Sequence, residues 1–406
     1  MSKVDVSPGK INDFLERGVA EIITRDSVAK KLSSGKVLRI KHGVDPSGHE
    51  LHLGHASVYL KLRDLQGLGH KIVFLIGGFT GRFGDPTQRS QIRTLKSKQD
   101  TDLAAKDYIG QISKILDVKQ LEIRNNGEWY DNMGAEELIK LISNFTADQV
   151  LERDMFQARK KRGEAIQLHE TIYPILQGYD SVMLKSDLTV IGTDQIFNEG
   201  FGRDLQKKNS QEPQDIVAMN ILVGLDGKQK MGKSLGNYIA ITDPAREQFG
   251  KIMSLPDHLM IDYFTLLTRT PLEEIRSMSK ALTEKSVQPR DLKLKLAREI
   301  VSFLHSPENA TTAQENFIKT FSKKEVPENI KEVLVERRNY PYEELPDLLM
   351  MSGEVKSKTE ARRLISDGAT DSNGSPIMPG DSIDLSEKPK TIKIGKYRWV
   401  RFIPRK

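Results

Sequence analysis

Two histidines, His52 and His55, stand three residues apart at the start of a predicted helix. The helix, residues 56–68, follows a turn that contains glycine and proline, and the apolar run at residues 37–40 before that turn predicts a buried strand. A strand, a turn and a helix in this order direct free backbone N–H groups and the positive end of the helix at an anion. Gly54, between the histidines, leaves room for a flat ligand against the backbone. The stretch therefore predicts an anion-binding site.

The histidine pair has two simpler interpretations, a surface helix cap and a metal site. The chain has no cysteine, and no Asp or Glu lies at ligand spacing on the same helix, so we predict no protein-held metal. A second motif favours chemistry, because Lys230-Met231-Gly232-Lys233-Ser234, about 175 residues later, concentrates cations in a glycine-containing loop. Together the two motifs resemble the HIGH and KMSKS signatures of class I aminoacyl-tRNA synthetases.

Polar residues also follow a second predicted strand, residues 72–76. The segment Gly77 to Asp85 is rich in glycine and includes Thr80. In open parallel sheets, ligands bind beyond the carboxyl ends of the strands, so Thr80 and Asp85 are candidates for holding a substrate. Arg89 and Arg93 come next in a polar loop, where they either meet phosphates or belong to an ordinary solvated loop.

A third group lies on one helix face. Tyr173, Gln177 and Asp180 have the spacing i, i+4, i+7, and apolar neighbours indicate that the helix is largely buried, so that this polar stripe lines a pocket. The next predicted strand, residues 188–191, ends in Gly192-Thr193-Asp194-Gln195. The Asp194 carboxylate there suits a ribose, because it accepts hydrogen bonds from neighbouring hydroxyls.

With these residues the chain resembles, over essentially its whole length, the bacterial-type tyrosyl-tRNA synthetases. The resemblance implies a tyrosine–tRNA ligase that uses ATP, with Mg²⁺ on the phosphates, to form tyrosyl-adenylate and pyrophosphate. The tyrosyl group then passes to the 3′-terminal ribose of tRNA(Tyr). By this resemblance Asp180 receives the phenolic hydroxyl of tyrosine. The residues assigned to tyrosine binding are Lys41, Thr80, Asp85, Tyr173, Gln177, Asp180 and Gln195.

The same resemblance assigns the nucleotide and the catalytic charges. The residues assigned to ATP are Gly43, Asp45, Ser47, Gly54, Gly192, Asp194 and Lys233. The residues assigned to catalysis, as suppliers of positive charge or as partners of the phosphates, are His52, His55, Arg89, Arg93, Lys230, Lys233 and Ser234. Three positions depart from the family pattern: Lys41 replaces a tyrosine found in some members, Ile191 replaces a glycine, and Gly232 occupies the middle of the lysine loop, residues 227–237.

The elements that must position these residues predict an α/β fold, with a doubly wound, Rossmann-like parallel sheet as the catalytic domain over residues 1–237. Residues 1–34 and 101–160 read as mainly helical. Five helical segments between residues 244 and 321 predict a helical domain, which the resemblance makes the anticodon-side domain (238–325). A linker (326–342) and a small α+β domain (343–406) are predicted to follow.

The last domain is similar to the S4 RNA-binding domain. Residues 351–406 hold 12 Lys and Arg against 7 Asp and Glu, a basic excess that suits RNA. Ser357 or Thr359 is expected to cap a helix that presents Lys358, Arg362 and Arg363 to phosphates, and Asn373-Gly374 fits a hairpin turn.

The first residues lack a signal-peptide pattern, and no stretch of 18 apolar residues exists. We therefore expect a cytoplasmic protein that is not in the membrane, and the resemblance implies a homodimer. The alternatives are a tryptophanyl-type enzyme, an RNA-binding paralogue without catalysis, and a nucleotidyltransferase that does not use tRNA. The intact histidine and lysine motifs argue against the second, and the basic C-terminal domain argues against the third.

Overall fold

The protein is described from a computed structural model. The residues that the structure describes are 4–46, 50–85, 96–322, 330–337, 339–355, 357–372, 375–386, 388–395 and 398–405. Ser47, Arg89, Arg93 and the Asn373-Gly374 turn, all singled out from the sequence, lie outside these residues. The chain divides into two compact units, Met1–Gln314 and Glu315–Lys406.

The first unit contains a six-stranded sheet with the order β1-β6-β5-β2-β3-β4. Its strands are β1 (Val19–Ile23), β2 (Arg39–Val44), β3 (Lys71–Ile76), β4 (Glu122–Asn125), β5 (Leu188–Gly192) and β6 (Asp215–Met219). All neighbours are parallel except β1, which pairs antiparallel with β6. The chain winds outward from β2 in one direction through β3 and β4 and in the other through β5 and β6. The predicted doubly wound fold is confirmed, and its switch point lies at β2 and β5.

Sixteen helices accompany this sheet in the described residues. Those up to β6 are α1 (Pro8–Glu16), α2 (Arg25–Ser33), α3 (Leu53–Gly67), α4 (Thr80–Phe83), α5 (Lys98–Ile112), α6 (Gly127–Tyr130), α7 (Ala135–Ile142), α8 (Ala147–Leu151), α9 (Asp154–Lys161), α10 (Leu168–Leu184) and α11 (Ile196–Lys208). Those after β6 are α12 (Ala245–Met253), α13 (Met260–Leu267), α14 (Leu272–Thr283), α15 (Pro289–Leu304) and α16 (Pro307–Ser322). The last five confirm the predicted helical segments, and α16 runs across the division between the two units.

Two edge strands were missed in segments predicted to be helical. β1 interrupts residues 1–34, and β4 interrupts residues 101–160. Both are short and only partly buried, so neither shows the continuous apolar run of a central strand. Each is stabilised by pairing with one neighbour that is remote in sequence: Ile23 of β1 faces Ile216, and Ile123 of β4 faces Phe74.

Helices α10 and α11 pack closely against each other. A Cβ at Gly178 of α10 would lie 2.8 Å from the backbone of Phe201 and Gly202 in α11, so no larger residue fits. The two helices therefore approach closely along their lengths. This approach brings polar side chains of α11 beneath the stripe on α10.

The second unit is a small α+β domain, as predicted. Its sheets have the orders β10-β9-β12-β13-β7 and β11-β8. The strands are β7 (Lys331–Val335), β8 (Asn339–Pro341), β9 (Thr370–Ser372), β10 (Ser375–Pro376), β11 (Ser382–Asp384), β12 (Lys390–Ile394) and β13 (Arg398–Pro404), and the helices are α17 (Leu345–Met351) and α18 (Lys358–Ser366). β7 pairs parallel with β13, and β8 pairs with β11. The stretch 326–342, predicted to be a linker, thus contributes two strands to these sheets.

Candidate active site

A cavity of about 600 Å³ opens at the carboxyl ends of the strands in the first unit. Every site residue predicted for this unit that the structure describes lines it. They are Lys41, Gly43, Asp45, His52, Gly54, His55, Thr80, Asp85, Tyr173, Gln177, Asp180, Gly192, Asp194, Gln195, Lys230, Lys233 and Ser234. Residues that are up to 193 positions apart in the sequence, from Lys41 to Ser234, thus meet in one place, because β2, β3 and β5 end side by side.

The histidine pair forms the start of α3. His52 is the N-cap, and its Nδ1 accepts a hydrogen bond from the Gly54 backbone N–H at 3.2 Å. The His52 backbone N–H donates in turn to Nδ1 of His55 at 3.2 Å. With both Nδ1 atoms acting as acceptors, the ring protons belong on Nε2, where they are available to a ligand.

The two rings are neutral, which corrects the expectation that they supply positive charge. Burial lowers the pKa of His52 to about 2 and that of His55 to about 4, and neighbouring cations and imidazoles act in the same direction. At neutral pH each ring therefore offers an N–H donor and no net charge. The cations that face the cavity in the described residues are on the lysine loop and at Lys41.

Asp45 directly follows β2 and links two neighbouring elements. Its carboxylate accepts hydrogen bonds from the Thr80 hydroxyl and from the Tyr173 hydroxyl, each at 2.7 Å. Gly77 allows this arrangement, since a Cβ there would lie 1.9 Å from Asp45 Oδ1. Asp45 was predicted to face the nucleotide. Its partners, Thr80 and Tyr173, are residues predicted to bind the amino acid, so the structure places Asp45 beside that group.

Asp180 lies at the inner end of the α10 stripe, and 3% of its surface is exposed. Trp129 Nε1–H donates to one carboxylate oxygen at 3.0 Å, and the Asn126 amide donates to the other at 3.4 Å. Burial raises the pKa of Asp180 to about 7, while Lys41 and the two donors oppose the rise. A buried carboxylate poised in this way can accept one more hydrogen bond from a polar ligand group.

Asn126 and Trp129 were not predicted from the sequence. Asn126 follows β4 directly, so recognising that strand would have placed it at the carboxyl edge of the sheet with the other site residues. Trp129 lies in the four-residue helix α6 and is itself buried. No local pattern of the sequence distinguishes it from a core tryptophan.

Amide side chains connect the other residues that were predicted to bind the amino acid. The Gln177 amide donates to Glu199 at 2.8 Å, and the Gln195 amide donates to Asp85 at 2.7 Å. Glu199, which lines the cavity and was also missed, forms a buried ion pair with Lys41. Arg153 lies behind Asp85, with its guanidinium 3.9 Å from the carboxylate.

The lysine loop closes the other side of the cavity. Lys230 Nζ lies 3.6 Å from Asp194, and Lys233 Nζ lies 3.3 Å from Glu50. Asn237 holds the loop in shape, because its side chain accepts from the Gly232 N–H at 2.9 Å and donates to the Lys230 carbonyl at 3.1 Å. Both lysine side chains remain partly exposed to the cavity, so an anionic ligand can replace their carboxylate partners.

In the second unit, Ser357 caps α18 by accepting from the Glu360 N–H, which selects it over Thr359. Arg362 and Arg363 are exposed on this helix. Lys358, predicted beside them, pairs with Asp347 at 2.5 Å.

The described residues contain no cluster of three or more histidine or acidic side chains that could hold a metal ion. None of their helices is both long enough and apolar enough to cross a membrane.

Comparison with known proteins connects these features to a family. The family model described as tRNA synthetases class I (W and Y) matches residues 33–322. The tyrosine–tRNA ligase of Thermotoga maritima is 43% identical over 399 residues, which cover 98% of each chain. The tyrosine–tRNA ligase of Carboxydothermus hydrogenoformans is 44% identical over 398 residues, which cover 96% of this chain and 97% of the relative.

A solved structure shares the fold. The tyrosyl-tRNA synthetase of Archaeoglobus fulgidus, complexed with L-tyrosine, superposes with a TM-score of 0.61 over 76% of this chain and all of that chain. Its sequence identity is 22%, so this similarity concerns the fold alone.

Proposed function

The chain belongs to the class I tRNA synthetases of the tryptophan and tyrosine group, and we propose that within this family it is a tyrosine–tRNA ligase. It activates L-tyrosine with ATP and then transfers the tyrosyl group to tRNA(Tyr). The observation that carries the choice of tyrosine is Asp180, a buried carboxylate at the end of the cavity with an acceptor oxygen for a phenol. Its fixed donors, Trp129 and Asn126, hold it in place.

The substrate tyrosine occupies the half of the cavity along α10. Its phenolic hydroxyl donates to Asp180, and its ammonium group meets Tyr173, Gln177 and Asp85, with Thr80 nearby. Gln195 orients its carboxylate. Support comes from these side chains, which line one cavity in which Asp180 is buried and Asp85 is half-buried. A zwitterion with a polar tail matches this set of acceptors and donors.

ATP occupies the half between α3, β5 and the lysine loop. Gly43, Gly54 and Gly192 let the nucleotide approach the backbone, and Asp194 receives the ribose hydroxyls. Mg²⁺ travels with the phosphates of ATP. The tyrosine carboxylate attacks the α-phosphate in line, so no protein nucleophile is needed. The Nε2–H groups of the histidines and the ammonium groups of the lysines stabilise the charge that develops on the leaving pyrophosphate. Ser47, Arg89 and Arg93 are proposed to assist.

Different parts of the chain have different roles in this reaction. Residues 1–237 carry the chemistry, the helices after them face the anticodon side, and the second unit binds RNA in the manner of an S4 domain. The reaction takes place in the cytoplasm.

The chain acts as a homodimer. Exposed apolar side chains of the first unit support this, among them Ile139 and Leu168. Sedimentation equilibrium should give twice the 45.9 kDa of one chain, and a single-chain mass would contradict the dimer.

The direct test is ATP–pyrophosphate exchange with each of the twenty amino acids in turn, in the presence of Mg²⁺. We expect exchange with tyrosine alone. Exchange with tryptophan would mean that the pocket around Asp180 accepts an indole and that the chain is the tryptophanyl type. No exchange with any amino acid would contradict the enzyme and favour the RNA-binding paralogue.

Tyrosine binding should weaken in acid. The phenol donates to the ionised form of Asp180, whose pKa is about 7 in the empty cavity, so protonation replaces a charged acceptor by a weaker, neutral one. We expect kcat/KM for tyrosine to fall as the pH drops below about 7, approaching about tenfold per pH unit. His52 and His55, with pKa values of about 2 and 4, do not titrate in this range.

The same pH series measured as kcat/KM for ATP, at saturating tyrosine, controls for titration of the nucleotide. Asp180→Asn should remove the pH dependence of kcat/KM for tyrosine. A flat profile for tyrosine between about pH 5.5 and 8 would contradict the assignment of Asp180.

The arginines of α18 should matter for tRNA and not for activation. Changing Arg362 and Arg363 to glutamate is expected to raise KM for tRNA about tenfold. The slope of log KM against log salt concentration should fall by about two, as expected for the loss of two phosphate contacts, and pyrophosphate exchange should be unchanged. The matched control is Arg401→Glu with Arg405→Glu, the same charge change on β13 and at the residue that follows it, where the arginines face away from the core and pair with Glu332 and Glu336. Equal effects of the two double variants would contradict a specific contact at α18.

A further inference from the structure

An ion pair is fully buried beneath the amino-acid half of the cavity. Lys41 of β2 and Glu199 of α11 have side chains that are 1% and 2% exposed. The Lys41 ammonium lies 3.0 and 3.1 Å from the two oxygens of the Glu199 carboxylate. Both residues line the cavity wall. Lys41 was predicted to bind tyrosine, whereas Glu199 was not singled out from the sequence.

The ammonium of Lys41 has no hydrogen to spare for a ligand. Besides Glu199, it donates to the Ser181 hydroxyl at 2.8 Å and to the Gln177 backbone carbonyl at 3.1 Å. Three hydrogens thus meet three groups of the protein. Direct contact with the substrate hydroxyl, expected for a residue at this position, would require one of these bonds to break.

The Glu199 carboxylate is equally occupied. In addition to Lys41, it accepts from the Gln177 side-chain amide at 2.8 Å and from the Gln214 amide at 2.7 Å. The bond from Gln177 fixes which end of that carboxamide is nitrogen and which is oxygen. Gln177 is therefore held at two points, through its backbone carbonyl by Lys41 and through its side chain by Glu199.

The fixed orientation passes along the cavity wall through a chain of amides. The Asn198 amide donates to Gln177 Oε1 at 2.7 Å and to Gln195 Oε1 at 3.1 Å. The Gln195 amide then donates to Asp85 at 2.7 Å. Reversing the Gln177 carboxamide would bring nitrogen to the Asn198 donor and oxygen to the Glu199 acceptor, and both bonds would be lost.

We propose that the Lys41–Glu199 pair is a positioning element that fixes the Gln177 and Gln195 carboxamides for recognition of the substrate's ammonium and carboxylate groups. The pair does not touch the substrate. This inference rests on the proposed tyrosine activation, and it adds two residues whose role is transmitted through Gln177.

Stability alone does not explain this pair. Removing two charges from water is costly, and apolar residues of similar volume commonly give equal or greater stability. A charged pair with every donor and acceptor assigned does, however, allow only one arrangement of its neighbours. The expected consequence of losing it is therefore a change in tyrosine recognition that is separate from any change in stability.

The first test is Glu199→Gln. The new carboxamide presents a donor either to Gln177 or to Lys41, so the Gln177 orientation is no longer enforced. We expect KM for tyrosine in the exchange reaction to rise at least about tenfold, and KM for ATP to stay within about twofold. Calorimetric titration with tyrosine alone should show the same loss of affinity.

The matched control is Gln214→Met. Gln214 donates to the same carboxylate as Gln177, but its side chain does not line the cavity. We expect its KM for tyrosine to stay within about twofold of the wild type, whatever its melting temperature. A rise as large as that of Glu199→Gln would show a general structural effect and overturn the proposal.

A double variant covers the case in which Glu199→Gln fails to fold. Lys41→Met with Glu199→Met removes both charges together, so no buried charge is left unpaired and the variant should fold, although its melting temperature should fall because the Gln177 and Gln214 amides lose their acceptor. We expect it to lose tyrosine affinity by at least about tenfold as well. A stable double variant with wild-type affinity would overturn the positioning role. Absence of tyrosine-dependent exchange in the wild type would instead contradict the proposed function.

Discussion

Replacing Asp180 by asparagine is expected to lower the preference for tyrosine over phenylalanine by about 10², through loss of tyrosine activation. The carboxylate is the charged acceptor for the phenolic hydroxyl, and hydrogen bonds to charged groups contribute about 1.5–3 kcal/mol. Phenylalanine lacks the hydroxyl, so in the wild type it leaves the buried Asp180 without that partner. Discrimination of about 10⁵ by this means is the value known for tyrosyl-tRNA synthetases themselves.

The measurement is kcat/KM for both amino acids in ATP–pyrophosphate exchange. Asp194→Asn is the matched control, since it makes the same chemical change in another carboxylate of the same cavity. It should weaken ATP binding and leave the ratio of tyrosine to phenylalanine unchanged. An unchanged ratio in Asp180→Asn would contradict the assignment of the phenol to this residue.

The residues of the cavity could be predicted because the sheet gathers them. Asp45, Gly77 and Gly192 each stand at the carboxyl end of an apolar strand, and in a parallel sheet those ends lie together. The spacing of Tyr173, Gln177 and Asp180 predicted one helix face, and the structure places all three along one cavity wall. Local periodicity is enough for such groups, because each is positioned by the element that carries it.

Glu199 shows what local periodicity leaves out. In sequence it is one charged residue in a helix that also carries Arg203, Asp204 and two lysines, and such residues usually face water. Its burial depends on Lys41, which is 158 residues away, and on the close contact that Gly178 allows between α10 and α11. Neither condition leaves a mark within the helix itself.

Charge state is similarly a property of the folded site. The sequence places His52 and His55 at a helix start, and the family resemblance suggested that they supply positive charge together with Lys230 and Lys233. In the structure, burial lowers both pKa values far below neutrality, so the rings act as N–H donors. We therefore propose that, among the described residues, the lysines supply the cationic charge and the histidines act as positioned N–H donors.

Loss of either lysine of this loop is therefore expected to slow activation strongly. Lys230→Met or Lys233→Met should reduce the rate of adenylate formation by about 10²–10³, the usual effect of removing one group that stabilises transition-state charge. KM for tyrosine should change little, because Lys230 and Lys233 lie beside Asp194 and Glu50 and not beside Asp180. Single-turnover formation of tyrosyl-adenylate measures the chemical step without product release.

Lys228→Met provides the control, since Lys228 is an exposed cation of the same loop that does not line the cavity. It should leave the single-turnover rate within about twofold of the wild type. If Lys228→Met slowed the reaction as much as Lys233→Met, the effect would belong to the net charge of the loop. A rate unaffected by Lys230→Met and Lys233→Met would contradict the role of these ammonium groups. Charge development on pyrophosphate would then have to be met by Mg²⁺, the helix N-terminus, the neutral histidines and the proposed contributions of Arg89 and Arg93.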